Sequence, residues 1–257
     1  MGTVAITGSA GGIGAATRSL LETNGHRVIG VDVRNAEVIA DLSTPQGRAT
    51  MVHDVGVECD GILDGLVAAA GISSNGSNEQ LVVSINYFGA VAALDGLRPM
   101  LARGTNPSAV AISSNSTTAQ MGIPLATVEA CLADDEDAAR ATAAGSPMGG
   151  YPASKLALAH WVRTHAVGPD WIGSGIRLNA IAPGLIETPM TEGGIDFVLA
   201  LGDIYPVPIQ RPGQAAEVAA LLSYLLSPLA GFFVGSFIVM DGGTDAALRA
   251  TDWPAAR

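Results

Sequence analysis

The sequence predicts an α/β protein: a doubly wound, seven-stranded parallel sheet with helices on both faces, in a single domain over residues 1–257. Three observations predict it. Short β-branched runs alternate along the chain with Ala/Leu-rich stretches of helical length. The strand-like runs are apolar almost throughout, as strands covered on both faces must be. No Pro/Ser-rich linker and no internal repeat divides the chain. Right-handed crossovers then put the ligand crevice at the carboxyl ends of the strands.

The elements follow in order. "TVAIT" (Thr3–Thr7) reads as a buried first strand, and the segment 12–25 as a helix that stops at Gly25. "RVIGVD" (Arg27–Asp32) is the second strand and "EVIADL" (37–42) a short third. A helix fits at 45–55, opened by Pro45. "LDGLVAAAG", ending at Gly71, is the fourth strand, followed by a helix at 83–103. "SAVAISS" (108–114) is the fifth, and 151–165 a helix. "GIRLNAIAPG" (175–184) is the sixth, 214–226 a helix, and "SFIVMDGG" (236–243) the seventh. Two connections, 115–150 and 185–212, exceed ordinary loop lengths and are expected to be functional or mobile.

Composition narrows the function. Hydrophobic residues make up 48% and charged residues 14%, which supports a large core and excludes disorder. A net charge of −11 argues against nucleic acid and anionic membrane, both of which need clustered positive charge. The acidic run "ADDEDAAR" (133–140) reads as a solvated helix face. Cys59 and Cys131 stand far apart without a CxxC, so neither disulfide nor metal site is expected. No apolar run reaches membrane-spanning length, and "MGTVAITG" lacks the pattern of a signal peptide, so the expected location is the cytoplasm.

"TGSAGGIG" follows the first strand and opens a helix. Gly8 permits a tight turn, Gly12 lets backbone approach a pyrophosphate, and Gly14 allows close helix–strand packing. The helix N-terminus offers free N–H groups to an anion. A tight βα turn without a ligand is the plainer alternative. Asp32 ends the second strand, where a carboxylate accepts from both ribose hydroxyls and repels a 2′-phosphate. The expected cofactor is NAD, with NADP less favoured. Arg34, just beyond, softens that preference.

Lys155 is the one lysine among 13 basic residues. Codon bias accounts for the arginines but not for this exception. Tyr151 and Lys155 share a helix face at i and i+4. A phenol has a free pKa of about 10, and a nearby ammonium favours the phenolate. Lysine, unlike the planar guanidinium, is a compact charge that fits between a phenol and a ribose. An ordinary surface lysine is the alternative. Ser113 and Ser114 end the fifth strand, where a hydroxyl can donate to a substrate carbonyl. Asn86 sits in an apolar helix, either bridging helix backbone and water or satisfying a local backbone group.

Together these residues resemble the short-chain dehydrogenase/reductase family, whose domain is a Rossmann fold. The match runs through "TGSAGGIG", Asp32, "AAAG" (68–71), Asn86, Ser114, "YPASK" and "APGLIETP" (182–189). The resemblance implies that Tyr151 is the general acid/base and that Lys155 lowers its pKa and binds the nicotinamide ribose. It implies that Ser114 polarises the carbonyl and that Asn86 holds a relay water through its backbone. Gly8, Gly12, Ile13, Gly14, Asp32, Val33, Ala70, Gly71, Tyr151, Lys155, Pro183 and Gly184 would line the cofactor, with Asp41 and Leu42 at adenine and Ile186 and Thr188 at the carboxamide. "AAAG" departs from the Asn-rich form of many members, so polar contacts bracing the central strand are expected to be lost.

Within the family the chain is similar to the bacterial 3α-hydroxysteroid dehydrogenase/carbonyl reductases, through 25–48, "VSINYFGA" (83–90) and the long segment before Tyr151. That segment separates Ser114 from Tyr151 by far more than the family's usual spacing. It should block or rebuild the four-helix dimer contact through which members often pair, in a homo-oligomer that is a dimer or tetramer. Residues 190–208 carry Ile195, Phe197, Val198, Leu199, Leu201, Ile204 and Tyr205 and read as an apolar substrate lid, or else as core packing. The expected activity interconverts a secondary alcohol and a ketone, with steroid the leading substrate class. The alternatives are a non-steroid hydrophobic alcohol or ketone, and a non-catalytic NAD-binding sensor.

Overall fold

A computed structural model describes residues 2–253; residues 1 and 254–257 of the expected domain span lie outside the described residues. The sheet strands are β1 (Thr3–Thr7), β2 (Arg27–Asp32), β3 (Val38–Ile39), β4 (Gly65–Ala68), β5 (Ser108–Ile112), β6 (Arg177–Pro183) and β7 (Phe237–Met240). All pairs are parallel, in the order β3-β2-β1-β4-β5-β6-β7. The order reverses between β1 and β4, which makes the crevice outside Thr7 and Ala68 the topological switch point.

Successive side chains of a strand point to opposite faces, and here both faces are dry. Val4 and Ile6 of β1 pack with Leu21, Leu222 and Leu225, whereas Ala5 packs with Leu66, Leu94, Leu97 and Leu158 on the other side. The first face is covered by α1 (Gly12–Thr23) and, after the insert helices named below, by α7 (Ala215–Leu226). The second is covered by α2 (Pro45–Glu58), α3 (Glu79–Leu101) and α6 (Gly150–His165). Local chemistry starts these helices. Thr44 accepts from the Gly47 N–H ahead of α2, and Gln214 and Glu217 form a reciprocal capping box on α7.

Three expectations change. By length and composition α3 could cross a membrane, with a mean hydropathy of 1.3, contrary to the expectation that no apolar run is long enough. It is a core helix, with Val82, Val83, Leu94 and Leu97 fully buried. The long connection 115–150 is mostly helical: α4 (Leu125–Leu132) and α5 (Glu136–Ala144) pack against α6 and α3, burying Val128, Cys131, Ala139 and Ala143. The acidic run is not one solvated face. Asp134 turns the chain at φ 57°, Asp135 caps α5 by accepting from the Ala138 N–H at 2.9 Å, and Glu136 pairs with Arg48 at 2.6 Å.

Candidate active site

The carboxyl ends of β1, β4, β5 and β6 open onto a cavity of about 380 Å³. Gly8, Gly12, Ile13, Gly14, Asp32, Gly71, Tyr151, Lys155, Pro183, Gly184, Ile186 and Thr188 line it. A smaller cavity of about 140 Å³ continues past Asp32 to Val33, Asp41, Leu42 and Ala70. The two hollows together hold every residue expected at the cofactor.

Backbone geometry explains the cradle. Gly8 has φ 70°, and a Cβ there would stand 2.8 Å from the Ala70 Cα. A Cβ on Gly14 would strike the Gly8 carbonyl oxygen. No side chain caps α1, so its first N–H groups remain available at the cavity. Asp32 is held in place by the Val33 N–H (2.8 Å) and the Ala10 N–H (3.1 Å). Each carboxylate oxygen keeps a lone pair for a ribose hydroxyl. These residues fit a dinucleotide: an anion-binding helix start, backbone room where side chains would intrude, and a carboxylate at the ribose position. The bracing expected to be lost at "AAAG" comes from β1 instead, because the Thr7 hydroxyl accepts from both the Ala69 and Ala70 N–H groups at 3.1 Å.

At the other end of the cavity lies the predicted catalytic set. Lys155 is 4% exposed, its Nζ 5.9 Å from the Tyr151 ring centroid and donating to the Ile112 carbonyl at 2.7 Å. Ser113 reaches the cavity wall, but its hydroxyl donates to the Lys155 carbonyl at 2.9 Å. Ser114 Oγ accepts from the Ser116 N–H at 3.1 Å, which leaves its O–H free to donate, and it is the serine whose hydroxyl acts on the Tyr151 phenol. Asn86 is fully buried in a π-helical turn, Ser84–Gly89. Its side chain accepts from the Ile72 N–H (2.9 Å) and donates to the Ile72 carbonyl (3.0 Å), so of the two readings the local backbone one describes its amide. Neither Ser114 nor Asn86 lines the cavity itself.

In the chain by itself burial dominates the electrostatics of this pair. Burial pushes the Tyr151 phenol up, with the Ser114 hydroxyl pulling the other way, and burial lowers Lys155 to about 8. Desolvation disfavours the charged form of each group. The arrangement suits proton exchange at an oxygen placed beside Tyr151 and Ser114.

Residues 4–182 match the model of the NAD dependent epimerase/dehydratase family, and residues 137–245 that of the enoyl-(acyl carrier protein) reductases. The chain is 41% identical over 263 residues to the 3-alpha-hydroxysteroid dehydrogenase/carbonyl reductase of Comamonas testosteroni, an alignment covering 98% of this chain and 100% of that one. The chain belongs to the short-chain dehydrogenase/reductase family. Another relative in the family is the 3-alpha-(or 20-beta)-hydroxysteroid dehydrogenase of Mycobacterium tuberculosis, 30% identical, covering 97% of this chain and 92% of that one. The crystal structure of the 3-alpha-hydroxysteroid dehydrogenase from Pseudomonas sp. B-0831, complexed with NADH, superimposes with a TM-score of 0.90 at 43% identity, covering 97% of this chain and 99% of that one.

For this family member the sequence left some contacts unread. Tyr205 donates to Asn115 Oδ1 at 3.0 Å and accepts from Asn115 Nδ2 at 2.8 Å, and Asn115 also donates to Asp241 at 3.2 Å. This ties the segment 190–208 to the residue after Ser114. The only sequence signal was a lone polar tip in an apolar stretch. Ala10, Arg34, Met190 and Thr191 also line the cavity.

Proposed function

We propose that this chain is an NAD-dependent oxidoreductase that interconverts a secondary alcohol and a ketone, acting as a 3α-hydroxysteroid dehydrogenase/carbonyl reductase. The observation that carries this reading is the Ser114–Tyr151–Lys155 cluster at one end of a cavity whose other end is the glycine turn and Asp32. Bound NAD supplies the hydride chemistry. Tyr151 exchanges a proton with the substrate oxygen, Ser114 donates a hydrogen bond to it, and Lys155 holds the ribose side of the site. Asn86 fixes Ile72 beside the cofactor hollow.

The segment 185–212 acts as the substrate lid. None of its residues between 190 and 208 is buried, and Phe197 and Ile204 are 69% and 77% exposed, so core packing does not account for them. Exposed apolar side chains in a segment that leaves the cavity wall at Met190 and Thr191 suit a bulky hydrophobic substrate. A sensor has no use for a buried lysine. The protein works in the cytoplasm as a homo-oligomer, and α4 against α6 with α5 against α3 supports an interface other than the usual four-helix contact.

The test is NADH formation with 3α-hydroxysteroids and non-steroid secondary alcohols, NAD and NADP side by side. Turnover of the steroids with NAD is the expected result. Turnover confined to other alcohols would move the substrate class, and tight NAD binding without any turnover would favour a sensor.

A further inference from the structure

The helix that carries Tyr151 and Lys155 begins without a capping side chain of its own: Gly149 precedes it and Gly150 is its first residue. A helix start leaves its first N–H groups without intrahelical partners, and Pro152 has none to offer. The Ala153 N–H reaches the Gly149 carbonyl at 3.1 Å. The other two are satisfied from a different part of the chain. The Gly150 N–H donates to Glu79 Oε2 at 2.8 Å, and the Tyr151 N–H to Ser74 Oγ at 3.2 Å. Ser74 in turn donates to Glu79 Oε2 at 2.7 Å. Glu79 Oε1 accepts from the Met148 N–H at 3.2 Å and the Gly76 N–H at 3.3 Å.

Glu79 is only 3% exposed, and these contacts are all to neutral donors. A buried carboxylate is costly unless hydrogen-bonded, and here its donors lie at a helix start whose partial positive charge favours it. Gly150 makes the approach possible, since a Cβ there would stand 2.6 Å from Glu79 Oε2. The carboxylate touches neither cavity. It governs the seating of the residue that does.

We propose that Glu79 is a positioning residue: with Ser74 it supplies the missing cap of α6 and so sets the place of the Tyr151 phenol against Ser114. This rests on Tyr151 being the acid/base of the reaction. An ångström of misplacement at a reacting centre can lower a rate by about a hundredfold.

The experiment uses the full chain with NAD and a hydroxysteroid it turns over. Glu79→Gln keeps the shape but must aim an N–H₂ group at one pair of donors, either the Gly150 N–H with the Ser74 hydroxyl or the Met148 and Gly76 N–H groups, and in either orientation it removes the negative charge from the helix start. The expected result is a kcat about tenfold lower, with KM for the alcohol and Kd for NAD within twofold of the parent, and faster amide exchange at Gly150 and Tyr151. A kcat within twofold of the parent would overturn the proposal. So would loss of NAD-binding sites in step with kcat, which assigns Glu79 to the fold at large. Should Glu79→Gln fail to fold, Ser74→Ala decides: about threefold lower kcat and faster exchange at Tyr151 are expected, and unchanged exchange overturns the idea. Amide exchange reads the cap whatever the substrate, so failure of the parent to turn over any secondary alcohol counts against the proposed activity alone.

Discussion

Lys155 is almost fully buried in the cavity wall, and its ammonium is held by a carbonyl rather than by a carboxylate. A guanidinium in that place would need room for a planar fork and further acceptors. Lys155→Arg is therefore expected to lower kcat at least about a hundredfold while circular dichroism and thermal midpoint stay near the parent's. Near-normal turnover would end the proposed role. The lysine's depressed pKa of about 8 has a stability consequence. Between pH 8 and the unfolded value of about 10.5 the unfolded chain binds the extra proton, so this group makes folding more favourable as pH rises through that window. Below pH 8 the full burial penalty, about 3 kcal/mol, is present. Urea titrations of the parent and Lys155→Met across this range should diverge in that sense. Tyr151 gives the matching kinetic expectation. Its phenol is raised by burial, so alcohol oxidation, which needs the phenolate, should accelerate with pH above neutrality, and ketone reduction should not. At the cofactor end, Asp32→Ala should weaken NAD about tenfold and narrow its advantage over NADP, measured as the ratio of the two Kd values.

At the scale of elements, the proposed lid is tied to the end of β5 through the Tyr205–Asn115 pair, in addition to the Ile209 N–H bond to the Gly242 carbonyl at its far end. Tyr205→Phe removes the hydroxyl and leaves the ring, so the segment loses its tie to Asn115 without losing area. The expected outcome is a KM for hydrophobic alcohols several-fold higher with NAD affinity unchanged; an unchanged KM would detach the lid from substrate capture. What the sequence revealed and hid at this scale has a physical cause. The strands were legible because parallel strands buried on both faces read as apolar runs, and the site residues because they cluster where those strands end. The insert was read as a long connection because α4 and α5 are short, Ala-rich and broken by a turn at Asp134. The Glu79–Gly150 and Tyr205–Asn115 contacts were hidden because the partners lie 71 and 90 positions apart, beyond any local pattern. Asn86 was seen, but only the fold could show that its amide serves Ile72.

For the molecule as a whole, the insert decides which surfaces remain free. Arg48 of α2 makes a two-pronged pair with Glu136 at 2.7 and 2.6 Å and donates to the Leu42 carbonyl beside the cofactor hollow, fixing the insert to the body of the protein. Arg140 adds a bond to Ser84 of α3 at 2.8 Å. On α6, Leu158, Trp161 and Val162 are buried within the chain and Val128 and Cys131 of the insert join the same core, while His160, Arg163 and Thr164 are left exposed. A partner subunit docking on the side of α6 that α4 covers would first have to displace α4, breaking apolar contacts already made, at roughly 25 cal/mol for each Å² returned to water. A homo-oligomer of this chain should therefore leave α6 unpaired. The measurement is disulfide trapping: His160→Cys and Arg163→Cys, each oxidised at a concentration where size-exclusion chromatography shows the oligomer, are expected to give no cross-linked dimer above the background of the parent with its two buried cysteines. Efficient cross-linking at either position would place α6 against its symmetry mate and refute the blocking role of the insert.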